Sequence, residues 1–364
     1  MRRLLPVAVL VLGAALIVGA TRGADDAAQG SGPSASPAAP PKPPCPAEKV
    51  CDMPPLACVD WIGRPVDLDA LYGQTVMLIF VESWCPKCNE WVDKRAREVQ
   101  DAAMRQPATI LYLGVGMAKG DLQRYMAQMK LKGHAAGVVN KTFAATCGLR
   151  STLWNIVVID AKGRRAARGS FGNYQTRNNV PIGSTYANDM PKYCEGAKLI
   201  VEKPDTPNLQ KADLAVRLGK YDTAAALLRK AGDAGAEALA RLEERARQTL
   251  AAAKAYQASD PYLAWRLANA LARGYKSSPV TAEARALAGK LAGDAAVRSG
   301  KQADTAVARV LEMSKKPGQA EAAVTMFAQV GMRFSDSRGG RVALRALGQS
   351  TDRDREPLYP TEQK

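Results

Sequence analysis

A Cys-x-x-Cys motif, Cys85 to Cys88, lies between an apolar run and a segment with helical periodicity. This combination limits the number of folds that the chain can adopt. Before it, the apolar run Thr75–Val81 (TVMLIFV) predicts a buried strand; after it, residues 89–104 have the charge and spacing of a surface helix. A thiol at a helix N-terminus faces unsatisfied N–H groups, which can lower its pKa from about 8.5 to about 3.5–7.5. We therefore expect a reactive thiol at Cys85, with Cys88 one turn later, placed to attack a mixed disulfide on it.

The residues around the two cysteines favour a redox pair over the alternatives, which are an inert disulfide and half of a zinc site. Lys87 adds positive charge between the thiols, Trp84 and Pro86 complete the motif, and Glu82 is the nearest carboxylate and a candidate proton relay, unless it is simply exposed. Zinc needs four N or S ligands, and the sequence has no second Cys-x-x-Cys. The only histidine, His134, has no identifiable orienting partner, so we expect it at the surface or a strand edge. We expect no metal and no cofactor.

Several segments between residues 54 and 171 resemble the thioredoxin superfamily, and among its members the extracytoplasmic TlpA/ResA-like thiol–disulfide oxidoreductases. The segments that carry the resemblance are 63–73 (GRPVDLDALYG), 83–88 (SWCPKC), 147–150 (CGLR) and 156–164 (IVVIDAKGR). The resemblance implies an α/β thioredoxin-like fold over residues 45–203. It also implies reversible dithiol chemistry, with Cys85 as the nucleophile and Cys88 as the resolving thiol.

Two positions depart from the family pattern. Thioredoxin-like proteins carry a cis-proline opposite the motif, whereas Leu153 or Trp154 takes that place here. A cis bond before a non-proline residue costs about 2.5–4 kcal/mol, so we expect a trans bond. The buried acid of the thioredoxins falls on Ile79. The missing cis-proline, together with the large helical region beyond residue 208, favours a rival hypothesis, an envelope scaffold whose thioredoxin-like domain binds partners without turnover.

The other cysteines predict structural roles in an oxidising compartment. Cys58 takes a strand position in which the family has an apolar side chain, so we expect a buried free thiol there. Of the three connectivities open to the remaining four cysteines, we favour the bridges Cys45–Cys51 and Cys147–Cys194.

The N-terminus predicts export. Residues 1–20 combine a basic start, an apolar run and small residues at its end, which indicates a signal peptide or an uncleaved membrane anchor. Residues 21–44 are rich in Ala, Pro, Ser and Gly and predict a linker. The formal net charge of +16 suits acidic partners or envelope surfaces. Because the chain looks exported and has no recognition helix, we do not expect nucleic acid as a partner.

Beyond residue 208 the composition changes to Ala, Leu, Arg and Lys, which predicts an all-α domain over residues 208–349 and a tail over 350–364. The segment 218–231 (LGKYDTAAALLRKA) resembles a tetratricopeptide helix–turn–helix, with Gly219 allowing close helix approach and Tyr221 filling the turn. A plain helical bundle is the alternative. The proline-containing segment 203–207 predicts a boundary between two units that fold separately.

Together these patterns predict an exported thiol–disulfide oxidoreductase, periplasmic or secreted. Its expected partners are protein thiols and disulfides of the cell envelope, a redox partner protein with a thiol, and a protein bound by the helical domain. We expect contact with a membrane only through the N-terminal segment.

Overall fold

The computed structural model of the protein describes residues 52–82, 96–149, 155–170, 176–177, 180–181 and 185–348. All of these belong to one compact unit, Ala47–Lys364. The predicted signal segment, the linker, the tail over 350–364 and the pair Cys45–Cys51 lie outside the described residues.

A mixed six-stranded sheet organises the N-terminal half of the described chain, in the order β1-β4-β3-β2-β5-β6. The strands β2, β3 and β4 are parallel, whereas β1 runs antiparallel to β4 and β5 runs antiparallel to both β2 and β6. This arrangement, with helices on both faces, confirms the predicted thioredoxin-like fold. The strands are β1 Asp60–Ile62, β2 Thr75–Val81, β3 Ala108–Val115, β4 Ala135–Val139, β5 Asn155–Ile159 and β6 Arg165–Ser170, with a separate pair β7 Thr176–Arg177 and β8 Val180–Pro181.

Helices make up the C-terminal half, as the composition predicts. Those beside the sheet are α1 (residues 96–104), α2 Lys119–Gln128, α3 Lys141–Thr146, α4 Thr185–Asn188 and α5 Met190–Tyr193, with 3-10 turns η1 Leu56–Cys58 and η2 Asp69–Leu71. Those that follow are α6 Pro207–Arg217, α7 Tyr221–Lys230, α8 Asp233–Tyr256, α9 Pro261–Gly274, α10 Thr281–Leu291, α11 Ala295–Met313, α12 Ala320–Arg333 and α13 Arg338–Ala346.

Local sequence signals fixed several of these boundaries. The strand β2 has its predicted limits, and Asn140 caps α3, because its side chain accepts a hydrogen bond from the Phe143 N–H at 2.9 Å. One expectation is wrong: Cys58 does not lie in a strand. It ends the turn η1, and the strand starts only at Asp60.

The two faces of β2 build two separate cores. Val76, Leu78 and Phe80 belong to one buried group, here called the even-face cluster, together with side chains of η1, α3, α11, α12 and α13. Met77, Ile79 and Val81 belong to the odd-face cluster, with side chains of α1, α2 and α5. A central parallel strand is expected to be apolar on both sides, which explains why TVMLIFV shows no alternation.

The helical segment packs against the sheet unit. Helices α6 to α10 enclose a cluster of their own, whereas α11 to α13 join the even-face cluster. At Gly219, which has φ +68°, an added Cβ would lie 2.8 Å from the Ala70 Cβ. The hydroxyl of Tyr221 donates to the Ala70 carbonyl at 2.5 Å. Separate folding on the two sides of residues 203–207 stays a prediction, and the shared cluster argues against it.

A buried ion pair reinforces this contact. The guanidinium of Arg266 on α9 donates two hydrogen bonds to the carboxylate of Asp69 on η2, through Nη2 and, at 3.0 Å, through Nε. Burial alone would raise the pKa of Asp69, but the charge and hydrogen bonds of Arg266 hold that pKa below its ordinary value. The pair therefore persists over the whole neutral range and joins η2 to the helical segment.

Two matched substitutions measure how much the close contact between Gly219 and Ala70 limits the side chain that position 219 can carry. Gly219 and Gly348 both follow the C-cap of a helix with positive φ, but only Gly219 faces a neighbour within 4 Å. We expect Gly348→Ala to lower the free energy of unfolding by about 1–2 kcal/mol, the cost of a left-handed alanine. Gly219→Ala should lower it by about 1–3 kcal/mol more, because the methyl group overpacks the junction. Urea denaturation measures both, and equal losses would contradict a packed junction.

Candidate functional site

The candidate site begins at the carboxyl end of β2. There Val81 lies opposite Gly114 of β3, and Phe80 lies opposite Asn155 of β5. Residues 83–95 follow β2, and residues 150–154 precede β5. The described residues that border these two segments are therefore neighbours. Both segments lie outside the described residues. The first holds Trp84, Cys85, Pro86, Lys87 and Cys88, and the second holds Leu153 and Trp154.

Glu82 is the one residue of the predicted thiol site that the structure describes. It follows β2 directly and is only 2% exposed. The sequence left open whether this carboxylate is exposed, and the structure answers that it is buried. It lies at the end of a central strand, directly before the motif segment begins.

Ile79 is fully buried in the odd-face cluster, in the position where thioredoxins carry a buried acid. The apolar members of that cluster suit an isoleucine at this position. Among the described residues, Glu82 is therefore the buried acid that comes nearest to the motif in the chain.

Helix α1, which follows the motif segment, is held at its C-terminal end by a residue that the sequence did not single out. Arg217 of α6 is 4% exposed, and its guanidinium donates to the carbonyls of Ala103 (3.4 Å), Met104 (3.2 Å) and Gln106 (3.1 Å). Its Nε donates to Asp213 at 2.8 Å. A cation at a helix C-terminus stabilises the helix by about 0.3–1 kcal/mol, and more when partly buried. No local pattern could have revealed this role, since the partners lie more than a hundred residues away.

His134 is remote from the candidate site. It immediately precedes β4, as a strand-edge residue would, but its ring turns inward: Nδ1 accepts from the Ile110 N–H at 2.9 Å, and Nε2 is buried with no hydrogen-bond partner among the described residues. Burial, with the charge of Arg217 adding to it, lowers the pKa of His134 to about 3. The imidazole is therefore neutral, and it lies toward the amino ends of the parallel strands, away from the carboxyl end of β2.

The described cysteines are buried thiols. Cys58 is free and buried, as predicted; burial, followed by the charge of Glu312, raises its pKa to about 11. The predicted Cys147–Cys194 disulfide is wrong, because Cys147 belongs to the even-face cluster and Cys194 to the odd-face cluster, on opposite sides of the sheet. Burial also raises the pKa of Cys194. None of the three is suited to act as a nucleophile at neutral pH.

Two further observations concern the described ranges only. No group of three or more His, Cys, Asp or Glu side chains there could hold a metal ion. No helix within those ranges has the length and apolar character needed to cross a membrane.

Comparison with solved structures finds similar proteins over less than half of the chain. A thioredoxin-family thiol:disulfide interchange protein from Chlorobium tepidum TLS is 16% identical, with 40% of this chain and 95% of that one covered and a TM-score of 0.29. A secreted Mycobacterium tuberculosis disulfide oxidoreductase is 15% identical, with 39% and 91% covered and a TM-score of 0.27. The thioredoxin domain of a Bacteroides vulgatus thiol-disulfide oxidoreductase is 15% identical, with 37% and 90% covered and a TM-score of 0.29. No protein-family model and no curated protein sequence matches the chain.

The burial of the described thiols predicts a sharp difference in alkylation. In the reduced, folded protein at pH 7, we expect iodoacetamide to label Cys85 first, because a thiol at a helix N-terminus is more ionised than one in an apolar core. Cys58, Cys147 and Cys194 should be labelled only after unfolding, and their slow labelling serves as the internal control. Peptide mass spectrometry over a time course measures the order. Labelling of Cys58 at a rate close to that of Cys85 would contradict the expectation.

Proposed function

We propose that this protein is a thiol–disulfide oxidoreductase whose redox pair is Cys85 and Cys88. One observation carries the proposal: the Trp-Cys-Pro-Lys-Cys sequence comes between β2, the doubly buried central strand of a thioredoxin-like sheet, and helix α1. A strand that ends in a buried core followed by a helix that packs on it is the setting in which a helix N-terminus can stabilise a thiolate.

The reaction is an exchange of sulfur partners. The Cys85 thiolate attacks one sulfur of a substrate disulfide, which forms a mixed disulfide and releases the other substrate sulfur as a thiolate. Cys88 then loses its proton and attacks the Cys85 sulfur, which releases the second substrate thiolate and leaves a Cys85–Cys88 disulfide. The substrate gains two electrons and the protein loses two. Each step is reversible, so the reduction potential of the pair relative to its partner protein sets the direction.

Glu82 is proposed to accept the proton that Cys88 must lose. Its burial, 2% exposed, and its place directly before the motif segment support this role. A carboxylate within hydrogen-bond reach of a thiol can take its proton as a general base. The group would act as a proton relay and would form no bond with the substrate.

The helical segment is proposed to bind a protein partner in the manner of tetratricopeptide repeats. Successive helices from α6 to α10 pack side by side around a cluster rich in alanine and leucine. Such a surface could bring a substrate or a redox partner protein to the thiol pair.

An extracytoplasmic location completes the proposal. The basic start and apolar run of residues 1–20 support export, either with cleavage or with an uncleaved anchor, and residues 21–44 would then act as a tether. Protein thiols and disulfides of the cell envelope are the proposed substrates, and the basic net charge suits acidic ones.

Substitution of each motif cysteine tests the reaction. We expect Cys85→Ser to reduce disulfide reductase activity on insulin at least 100-fold, because it removes the attacking sulfur. Cys88→Ser should accumulate mixed disulfides with envelope proteins, since the resolving step is lost. Cys58→Ala, which removes a buried thiol far along the chain, serves as the control and should retain activity. Full activity in Cys85→Ser, or no trapped adduct in Cys88→Ser, would favour the scaffold hypothesis instead.

The role of Glu82 can be tested separately by pH. We expect Glu82→Gln to slow the resolving step about 10–100-fold near pH 7 and to restore it as pH rises toward the pKa of Cys88, where no relay is needed. Single-turnover release of a thiol from a preformed Cys85 mixed disulfide measures that step. A slower rate with an unchanged pH profile would show that the substitution acts through structure alone.

A further inference from the structure

A cavity of about 590 Å³ lies at the other end of β2 from the candidate site. Its walls come from the residues just before β2, from the turn after β5, from the chain between α5 and α6, and from helix α8. Gly73, in its wall, donates to the Ala161 carbonyl at 3.0 Å and precedes β2 by two residues. At about 3.3 Å per residue, the length of β2 separates this cavity from the motif segment by roughly 20 Å.

Arg245 of α8 is a buried charge in the wall of this cavity. It is 6% exposed, and its Nη2 donates to the Lys198 carbonyl at 2.7 Å. Its Nη1 is buried and has no hydrogen-bond partner among the described residues. Burial lowers the pKa of Arg245, with the Tyr221 hydroxyl opposing that shift. An ionised group held in such a place without a counter-ion is strongly unfavourable.

The acidic residues of the wall are engaged elsewhere. Glu237 and Glu202 both pair with Arg241, at 2.5 and 3.2 Å. Glu244 accepts from Arg247 at 2.9 Å and from Gln248 at 3.0 Å. The remaining wall carboxylate, Glu195, is exposed. In the part of the chain that the structure describes, no carboxylate forms an ion pair with Arg245.

Three other buried arginines have carboxylate partners. Arg266 has Asp69, Arg217 has Asp213 together with several carbonyl groups, and Arg338 has Asp304. Arg245 differs from these three. The cavity beside Arg245 is the space in which its missing counter-ion would fit.

We infer that this cavity binds a small organic anion whose carboxylate or phosphate group compensates Arg245. The guanidinium fork matches either oxyanion. Gln248 and Thr249 supply polar groups to the wall, and Tyr72 and Ile200 supply apolar surface for the rest of the ligand. A volume of 590 Å³ lies within the range of about 300–1,000 Å³ that is usual for small-molecule sites. The site is independent of the thiol pair and of the proposed reaction.

Anion-dependent stability of the full chain tests this inference. We expect sodium phosphate or sodium acetate to raise the melting temperature in a saturable manner, relative to sodium chloride at equal ionic strength, because a ligand of the native state stabilises it by mass action. A response to phosphate only identifies a phosphate ester as the ligand class, and a response to acetate identifies a carboxylate. Titration calorimetry with the same anion gives its affinity.

Variants of two arginines test whether Arg245 is the residue that binds the anion. Arg245→Met should weaken anion binding at least tenfold, whereas Arg217→Met, which removes an equally buried but paired arginine, should lower the melting temperature and keep the anion response. Arg245→Lys keeps the charge and should keep part of the response, which covers the case in which Arg245→Met fails to fold. An unchanged response in Arg245→Met, or no saturable response to either anion, would overturn the inference. Cys85→Ser should bind the anion normally, so a failure here is distinct from a failure of the proposed reaction.

Discussion

Burial of both faces of β2 is the constraint on which the rest of this structure depends. A strand that is apolar on each side needs cover from two directions, and the chain supplies it with α1, α2 and α5 on one face and with α3 and the last three helices on the other. Because both layers are built around one strand, its carboxyl end is held by packing on two sides. The segment with the thiol motif therefore follows a strand end whose position is fixed by packing.

The helical segment is part of that support and is more than an appended module. Arg217, at the end of α6, holds the C-terminal carbonyls of α1, and α1 is the helix that follows the thiol motif. Arg266 of α9 pairs with Asp69 of η2, and α11 to α13 complete the even-face cluster. A partner bound by the helices would therefore contact a body that includes the sheet, because the described sheet and helices belong to one compact unit.

The two ends of β2 have different chemistry. At the carboxyl end the buried carboxylate of Glu82 directly precedes the motif segment; at the amino end the buried guanidinium of Arg245 borders a cavity and forms no ion pair within the described ranges. Under the two proposals, thiol chemistry would take place at the first end and recognition of an oxyanion at the second. The separation would then allow a ligand to bind at one end without blocking the approach of a protein disulfide to the other.

Short-range patterns in the sequence determined β2, the Asn140 cap and the change to helices after residue 207, because hydrophobic periodicity and capping depend on neighbours a few positions away. The same patterns could not place Cys147 and Cys194, since both look like buried or bridged cysteines in sequence and only the sheet between them separates their clusters. Tertiary structure alone decided that Arg217 holds a helix end and that Arg245 is left without a carboxylate. Those outcomes depend on groups distant in sequence that meet only when the helices pack against the sheet.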